Sequence, residues 1–309
     1  MTDPQHWERQ TIEKLATAAL QEQKRARNWS VFFKSLTFLY LFALLFFALE
    51  WIGPSRGTLG PHTALIDLQG VIGDGGEINA DDTISSLQSA FEDKNTKGIV
   101  IRINSPGGSP VQAGIINQEI RRLRKQYPAI PLYAVVEDVC ASGGYYIAVA
   151  ADRIFVDQAS IVGSIGVLMD GFGFTGAMQK LGIERRLMTA GANKGFMDPF
   201  SPVNSAHKAH AQAMLDEVHQ QFIKVVRDGR GRRLKETPDM FSGLFWSGER
   251  SIELGLADAL GSSDYVAREI IKEENIVDFT AHEDLADRFA KRLGAAAAHV
   301  LLGMDFQLR

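Results

Sequence analysis

One serine stands between two predicted secondary-structure elements and is the first residue with the chemistry of a nucleophile. Ser142 lies in the stretch CASGGYY, after an apolar run that predicts a strand and before SGGYYIAVAA, which predicts a helix. The free N–H groups at a helix start favour a developing oxyanion. The residues alone leave two interpretations open, a helix cap and a nucleophile. Because position 140 is Cys140, the turn lacks the G-x-S-x-G pattern, which disfavours a Ser-His-Asp α/β-hydrolase.

A catalytic serine needs a base. None of the seven histidines lies in a glycine-rich turn, and there is no H-E-x-x-H metal motif; they are His6, His62, His207, His210, His219, His282 and His299. A catalytic or metal-binding histidine is therefore disfavoured. The other candidate is Lys194, in the loop AGANKGFMDPFSP. A lysine acts as a base only where burial lowers its pKa from about 10.4 toward neutrality. The residues alone do not separate that role from an ordinary solvated lysine.

Three glycine-rich turns follow apolar runs: NSPGGSP at residues 104–110, CASGGYY at 140–146 and IVGSIGV at 161–167. The first lacks the Lys-Ser/Thr pair of a phosphate-binding loop. Two consecutive glycines let a backbone amide point into a cleft, which is one way to build an oxyanion hole. A plain turn is the alternative.

Alternation of apolar runs and amphipathic runs predicts the elements that position these turns. Strands are predicted at residues 63–68, 98–104, 131–137, 152–157 and 183–189. Helices are predicted at 79–93, 112–126, from Ser142 onward, and at 204–227, with Asn79 or Asp81 capping the first and Ser205 the last. Strands separated by helices indicate parallel β-α-β units and an α/β fold.

A membrane anchor is predicted before this domain. Residues 31–52 are apolar, with no charge between Lys34 and Glu50, close to the roughly 20 residues that span a bilayer. The long preceding region and the poor cleavage site in ALEWIG disfavour a cleaved signal peptide. Six cations lie in residues 1–34 and one, Arg56, in the twenty residues after the span. The positive-inside rule therefore predicts a cytoplasmic N-terminus and, in a bacterium, a periplasmic domain tethered to the inner membrane.

The composition limits the kinds of ligand that the protein is expected to bind. A net charge of −4 without a long basic run makes nucleic acid an unexpected partner. The single cysteine excludes an internal disulfide and cysteine-based zinc sites. The expected organisation is a cytoplasmic segment (1–30), the anchor (31–52), a linker (53–62), one folded domain (63–282) and a helical tail (283–309).

Four motifs occur in order between about residues 63 and 260: VIRINSPGGSP, ASGGYYIA, ADRIFVDQASIVGSIGV and AGANKGFMDPFSP. Together they resemble the signal peptide peptidase A family of serine-lysine peptidases, relatives of the Clp protease and crotonase folds. The resemblance implies that Ser142 is the nucleophile, that Lys194 is the general base, and that Ser164 orients the lysine. It also implies a parallel sheet built from repeated β-β-α units.

The same resemblance implies the rest of the site. The oxyanion donors would come from Gly107, Gly108 and Gly143, and an extended peptide would bind beside Gly163, Ile165 and Gly166. No metal or cofactor is expected. The implied substrates are signal peptides and other short apolar peptides, and the implied assembly is a ring of identical chains.

Other interpretations are a non-catalytic membrane-tethered scaffold and a crotonase-like acyl-CoA enzyme. For the alanine-rich C-terminal tail, an interface helix is the favoured reading; a tail that the site itself trims is the alternative.

Overall fold

The computed structural model describes residues 4–51 and 60–281. The helix α1, Pro4–Trp51, belongs to one compact unit, and residues 60–281 belong to a second. Position 52 of the expected anchor, residues 53–59 of the linker and the tail from residue 282 onward lie outside the described residues.

Helix α1 contains the expected anchor. Its 48 residues extend about 72 Å at 1.5 Å per residue, which exceeds the thickness of a bilayer. Among the described residues, one stretch is long and apolar enough to cross a membrane by length and composition, Glu13–Leu45. Its large apolar side chains are exposed, Phe38, Leu39 and Phe42 among them. The side chains that the structure describes for this stretch are not buried in a protein core.

The second unit is an α/β structure around an eight-stranded, mostly parallel sheet, as the alternation of strands and helices predicts. The sheet order is β6-β5-β3-β2-β1-β8, and β4 pairs with both β3 and β7. The strands are β1 (His62–Ile72), β2 (Thr96–Gly108), β3 (Leu132–Ala141), β4 (Arg153–Val156), β5 (Ile161–Gly163), β6 (Phe245–Ser247), β7 (Ala259–Leu260) and β8 (Ile276–Asp278). Every pair is parallel except β5 with β6.

Helices connect these strands. They are α2 (Ala80–Glu92), α3 (Pro110–Gln126), α4 (Gly143–Ala148), α5 (Thr175–Lys180), α6 (Ser205–Arg230), α7 (Gly248–Glu253) and α8 (Ser263–Tyr265), followed by a π-helical turn at Val266–Ile271. Asn79 caps α2 by accepting a hydrogen bond from the N–H of Asp82, as predicted. The predicted cap of α6 was wrong by one residue, because Asn204, rather than Ser205, accepts from the first N–H groups.

The central strands β1, β2 and β3 are buried on both faces over most of their length, and their side chains alternate between two clusters. On β2, Ile99, Ile101 and Ile103 belong to the main core, whereas Val100 packs in a second cluster against Val266. This is the period of two that a strand imposes, and burial on both faces explains why the strands are almost continuously apolar.

Strand β3 is the branch point of the sheet. Its first half pairs with β4 and its second half with β5, so the sheet divides where β3 approaches its carboxyl end. Ser142 follows directly after this end. Loops at the carboxyl ends of parallel strands are where α/β proteins place their ligands.

The strand predicted at residues 183–189 was wrong. These residues are described, form no strand and lie in an exposed segment, residues 168–203, whose Met188 side chain is 94% exposed. A short apolar run becomes a strand only when a neighbouring strand can share its backbone hydrogen bonds. No strand of the described sheet pairs with these residues.

Candidate active site

Ser142 occupies a strained turn between β3 and α4. Its backbone has φ 50° and ψ −119°, a conformation that residues other than glycine rarely adopt and that costs about 1–3 kcal/mol. It sits at the N-cap position of α4, but its side chain makes no capping hydrogen bond. The helix-cap interpretation therefore fails, and the hydroxyl has no hydrogen-bond partner among the described residues. A sharp strand-to-helix turn that exposes a serine hydroxyl is how nucleophile elbows are built, although the surrounding sequence differs.

Cys140 lies two residues before the serine and is the other side chain here with nucleophilic chemistry. It is fully buried, and this burial raises the pKa of its thiol far above the usual range. The thiolate is the reactive form of cysteine. Cys140 is therefore a core residue, and Ser142 is the candidate nucleophile of this turn.

The three predicted oxyanion glycines meet beside the serine. A Cβ atom on Gly107 would lie 2.7 Å from the Cβ of Ser142 and 2.9 Å from the backbone N of Gly143. A Cβ atom on Gly143 would lie 3.3 Å from the backbone N of Gly108. Only glycine permits this approach, and the φ of Gly107, 106°, adds a second requirement for glycine.

The three N–H groups are not equivalent. The N–H of Gly107 donates to the hydroxyl of Ser105 at 3.1 Å, so it is already used inside the turn. Gly143 is the first residue of α4, where an N–H has no acceptor within the helix. The N–H groups of Gly108 and Gly143 are therefore the better candidates for stabilising an oxyanion, and Gly107 acts through the shape of the turn.

Ser164 lies in a second strained turn at the same cavity. Its φ is 51°, and its N–H donates to the carbonyl of Leu244 at 2.7 Å. The N–H of Gly166 donates back to the carbonyl of Ser164 at 2.9 Å, and the carbonyl of Gly163 accepts from the N–H of Ser142 at 2.9 Å. The two turns are thus joined through the backbone. Of the residues predicted to bind a peptide, Gly166 lines the cavity, whereas Gly163 and Ile165 are buried beside it.

The cavity at Ser142 has a volume of about 580 Å³. Ser142, Gly108, Gly143 and Ser164 line it together with apolar and aromatic side chains: Pro110, Tyr146, Val167, Leu168, Val218 and Phe222. An apolar lining with a few convergent polar groups is typical of a binding site.

A larger crevice of about 780 Å³ lies at the carboxyl ends of β3, β4 and β7, and it contains none of the predicted site residues. The smaller cavity is the better candidate because Ser142, Gly108 and Gly143 line it.

Lys194 is not brought to this cavity within the chain. Its side chain is exposed, and it is absent from the cavity lining. The preceding Asn193 is hydrogen-bonded through its side-chain oxygen to Nε2 of His207 at 3.1 Å, and the ring of Phe196 contacts the rings of His207 and His210. The lysine loop is therefore attached to the first turns of α6.

Helix α6 contacts both the lysine loop and the cavity, at different positions along its axis. Val218 of the same helix lines the cavity, eleven residues after His207, which corresponds to about 16 Å along the helix axis. The lysine loop and the cavity therefore contact different turns of α6. Ser142 and Ser164 share one cavity, and the lysine of the same chain belongs to a different part of the surface.

His219 is a site residue that sequence reasoning missed. Its Nε2 lies 3.1 Å from the carbonyl oxygen of Ile165, within the Ser164 turn. Leu215 and Ile223 lie four residues before and after it on α6, and both are shielded from solvent, so helical spacing places His219 in the inward stripe of the helix. This spacing of apolar residues around position 219 could have identified His219 as an inward-facing residue from the sequence alone.

Residues 13–45 and 60–281 contain no group of three or more His, Cys, Asp or Glu side chains arranged to hold a metal ion.

Comparison with known proteins identifies the family. The sequence profile of Peptidase family S49 matches residues 124–277. A protein named putative signal peptide peptidase, from Enterococcus faecium, is 30% identical over 236 residues, which cover 74% of this chain and 68% of that protein. A protein named Na(+)/H(+) antiporter, from Brucella melitensis, is 46% identical over 179 residues, which cover 58% of this chain but only 24% of the antiporter's length.

Among solved structures, a mutant of a membrane-bound stomatin-specific protease aligns with a TM-score of 0.43 at 13% identity, over 72% of this chain and 96% of that one. The Enterococcus faecium protein matches over most of both chains, and the S49 profile spans the nucleophile turn, the Ser164 turn and the lysine loop. The chain belongs to the signal peptide peptidase A family of serine peptidases, peptidase family S49.

Proposed function

We propose that this protein is a serine endopeptidase whose nucleophile is Ser142. The observation that carries the proposal is the strained turn that presents an unbonded hydroxyl to a cavity, beside the N–H groups of Gly108 and Gly143. Preorganised N–H groups aimed at a developing oxyanion are commonly the largest contribution to acyl-transfer catalysis. Membership in a peptidase family supports the same chemistry.

The reaction follows from these groups. The Ser142 oxygen attacks the peptide carbonyl while a neutral Lys194 amine removes the hydroxyl proton. The N–H groups of Gly108 and Gly143 stabilise the oxyanion. The lysine then protonates the leaving amine as the C–N bond breaks, and water releases the acyl group from the serine by the reverse sequence of proton transfers. Ser164 lines the same cavity, which supports a role for its hydroxyl in hydrogen-bonding and orienting the incoming lysine.

The lysine in this proposal comes from a neighbouring chain of a homo-oligomeric ring. The lysine loop contacts α6 at His207, about 16 Å along the helix axis before Val218 at the cavity, and Lys194 is exposed and absent from the cavity lining; both observations support a lysine supplied by a second copy. The exposed segment 168–203 carries many large apolar side chains: Leu168, Met169, Phe172, Leu181, Ile183, Met188 and Val203. Exposed apolar surface of this extent marks an interaction site. Burial against another copy would remove both this surface and the lysine from water.

Short apolar peptides, including the remnants of cleaved signal peptides, are the proposed substrates. The cavity beside Ser142 is lined by Pro110, Tyr146, Val218 and Phe222, which suit apolar side chains. The residues after Gly166 run along the cavity, where an extended peptide can pair with their backbone. A relative named putative signal peptide peptidase supports this substrate class.

The proposed location is the bacterial inner membrane, with α1 as a single-pass anchor. The helix is long enough to cross a bilayer, and its six N-terminal cations favour a cytoplasmic N-terminus. The catalytic unit would then face the periplasm, close to where signal peptides are released.

Hydrolysis of an apolar fluorogenic peptide by the full chain in detergent tests the proposal. We expect Ser142→Ala and Lys194→Ala each to lower kcat/KM by about a thousandfold or more. Ser164→Ala, which removes only the orienting hydroxyl, should lower it by about ten- to a hundredfold. Cys140→Ser serves as a control near the nucleophile and should keep activity. A wild-type protein that assembles but hydrolyses no peptide would favour a scaffold, and turnover that depends on an acyl-CoA would favour crotonase-like chemistry.

A further inference from the structure

The imidazole of His219 joins helix α6 to the Ser164 turn. Its Nε2 lies 3.1 Å from the carbonyl oxygen of Ile165, which is 54 residues earlier in the chain. A carbonyl oxygen only accepts hydrogen bonds, so Nε2 carries the hydrogen and donates it. His219 is half-buried, and its neighbour Val218 lines the cavity at Ser142.

This hydrogen bond holds one specific peptide unit. The carbonyl of Ile165 and the N–H of Gly166 belong to the same planar peptide group. The N–H end donates to the carbonyl of Ser164 at 2.9 Å, and the carbonyl end is held by His219. Among the hydrogen bonds described for residues 163–166, this is the one that comes from a side chain.

The turn needs such support. Ser164 has φ 51°, a conformation that persists only when the surrounding structure imposes it. The backbone of Leu244 holds the N–H of Ser164, but it does not fix the following peptide. Rotation of the Ile165–Gly166 peptide would redirect the N–H of Gly166 and the chain beyond it, which lines the cavity.

We propose that His219 is a positioning residue for catalysis. Its hydrogen bond fixes the Ile165–Gly166 peptide, and this holds Ser164 and the peptide-binding residues after Gly166 in the geometry that serves Ser142. The inference rests on the proposed function and adds to it a role for a residue that does not touch the reacting atoms.

Three substitutions separate the hydrogen bond from the packing of the ring. His219→Phe keeps an aromatic ring but has no donor. His219→Gln places an amide nitrogen near the position of Nε2, whereas His219→Asn carries the same amide on a shorter side chain that falls short of Ile165. Each full-length variant is assayed in detergent for kcat and KM with the fluorogenic peptide, at a temperature where its circular dichroism shows it folded.

We expect His219→Phe and His219→Asn to lower kcat/KM by about three- to tenfold, because each loses one partly buried hydrogen bond. We expect the kcat/KM of His219→Gln to stay within about twofold of wild type, because its amide can still donate. Equal losses for Gln and Phe would assign the effect to ring packing and overturn the proposal, as would a Phe variant as active as wild type.

A fluorophosphonate probe separates this failure from failure of the proposed function. Wild type is expected to be labelled and Ser142→Ala is not. If wild type is neither labelled nor active, the nucleophile assignment fails, and the role of His219 fails with it. If wild type is labelled and active while His219→Gln is no more active than His219→Phe, only the role of His219 fails.

Discussion

Co-assembly of two inactive variants tests whether the lysine acts on a neighbouring chain. Ser142→Ala keeps the lysine and lacks the nucleophile, and Lys194→Ala keeps the nucleophile and lacks the base. The lysine loop is attached to α6 at His207, about 16 Å before the first cavity residue of that helix, Val218. A site in the ring would therefore combine the serine of one chain with the lysine of the next.

The expected activity follows from counting subunits. When equal amounts of the two variants mix at random in a head-to-tail ring, half of the serines are intact, and half of those face an intact lysine. About a quarter of the sites are then complete, so the mixed assembly should show about a quarter of the wild-type rate per subunit. If serine and lysine act within one chain, no site is complete.

The assay is co-expression of the two variants with different affinity tags, purification through both tags, and measurement of initial rates with the fluorogenic peptide. Ser142→Ala co-assembled with the double variant Ser142→Ala/Lys194→Ala is the matched control and should be inactive. A doubly purified mixture no more active than each variant alone would refute the argument from helix length and place the lysine in its own chain's site.

Two further substitutions test the architecture of the site and its support. Gly107→Ala should reduce activity and lower the free energy of unfolding by about 2–5 kcal/mol, because φ 106° is strained for alanine and the new methyl lies 2.7 Å from the Cβ of Ser142. Gly176→Ala is the control, since nothing lies within 4 Å of a methyl group at that position. Equal melting temperatures for the two variants would contradict the argument. Arg230→Met should lower the free energy of unfolding by about 3–5 kcal/mol in urea titrations, since it leaves the largely buried carboxylate of Asp258 without its bidentate partner. Burial raises the pKa of Asp258, but the hydrogen bonds and charge of Arg230, together with the N–H of Ile154 and the charge of Arg233, outweigh burial and hold this pKa below its ordinary value. The stabilisation from this carboxylate is therefore complete above its unfolded pKa of about 3.9 and is lost as pH falls below that value. Wild type and Arg230→Met should thus converge in their free energies of unfolding in acid. A difference between these two free energies that persists unchanged at about pH 3 would contradict this.

Periodicity predicted the elements that form the core. The helices at 80–92 and 110–126 and the strands through Ile101 and Val135 follow the apolar spacing within a few residues, because their burial is decided by that spacing. The run at 183–189 has strand composition but no neighbouring strand, and composition does not report a missing partner.

The candidate site was predictable in its members and not in its geometry. The sequence placed Ser142 between a strand and a helix, but the φ of 50° depends on how β3 and α4 meet. The N–H of Gly107 is occupied by Ser105, two residues away, which the motif does not reveal. The separation of Lys194 from Ser142 depends on where its loop docks on α6, a contact between residues far apart from the serine in the chain.

Helix α6 sets a rule for which insertions and deletions this protein can accept. Its early turns hold the lysine loop through His207, and its later turns present Val218 to the cavity and His219 to the Ser164 turn. One added or deleted residue between them rotates one end relative to the other by about 100°, so one contact is lost whenever the other is kept. Changes of about seven residues, two turns, restore the faces but shift the loop by about 10 Å. Natural variation in the length of this helix is therefore expected to be absent between these positions.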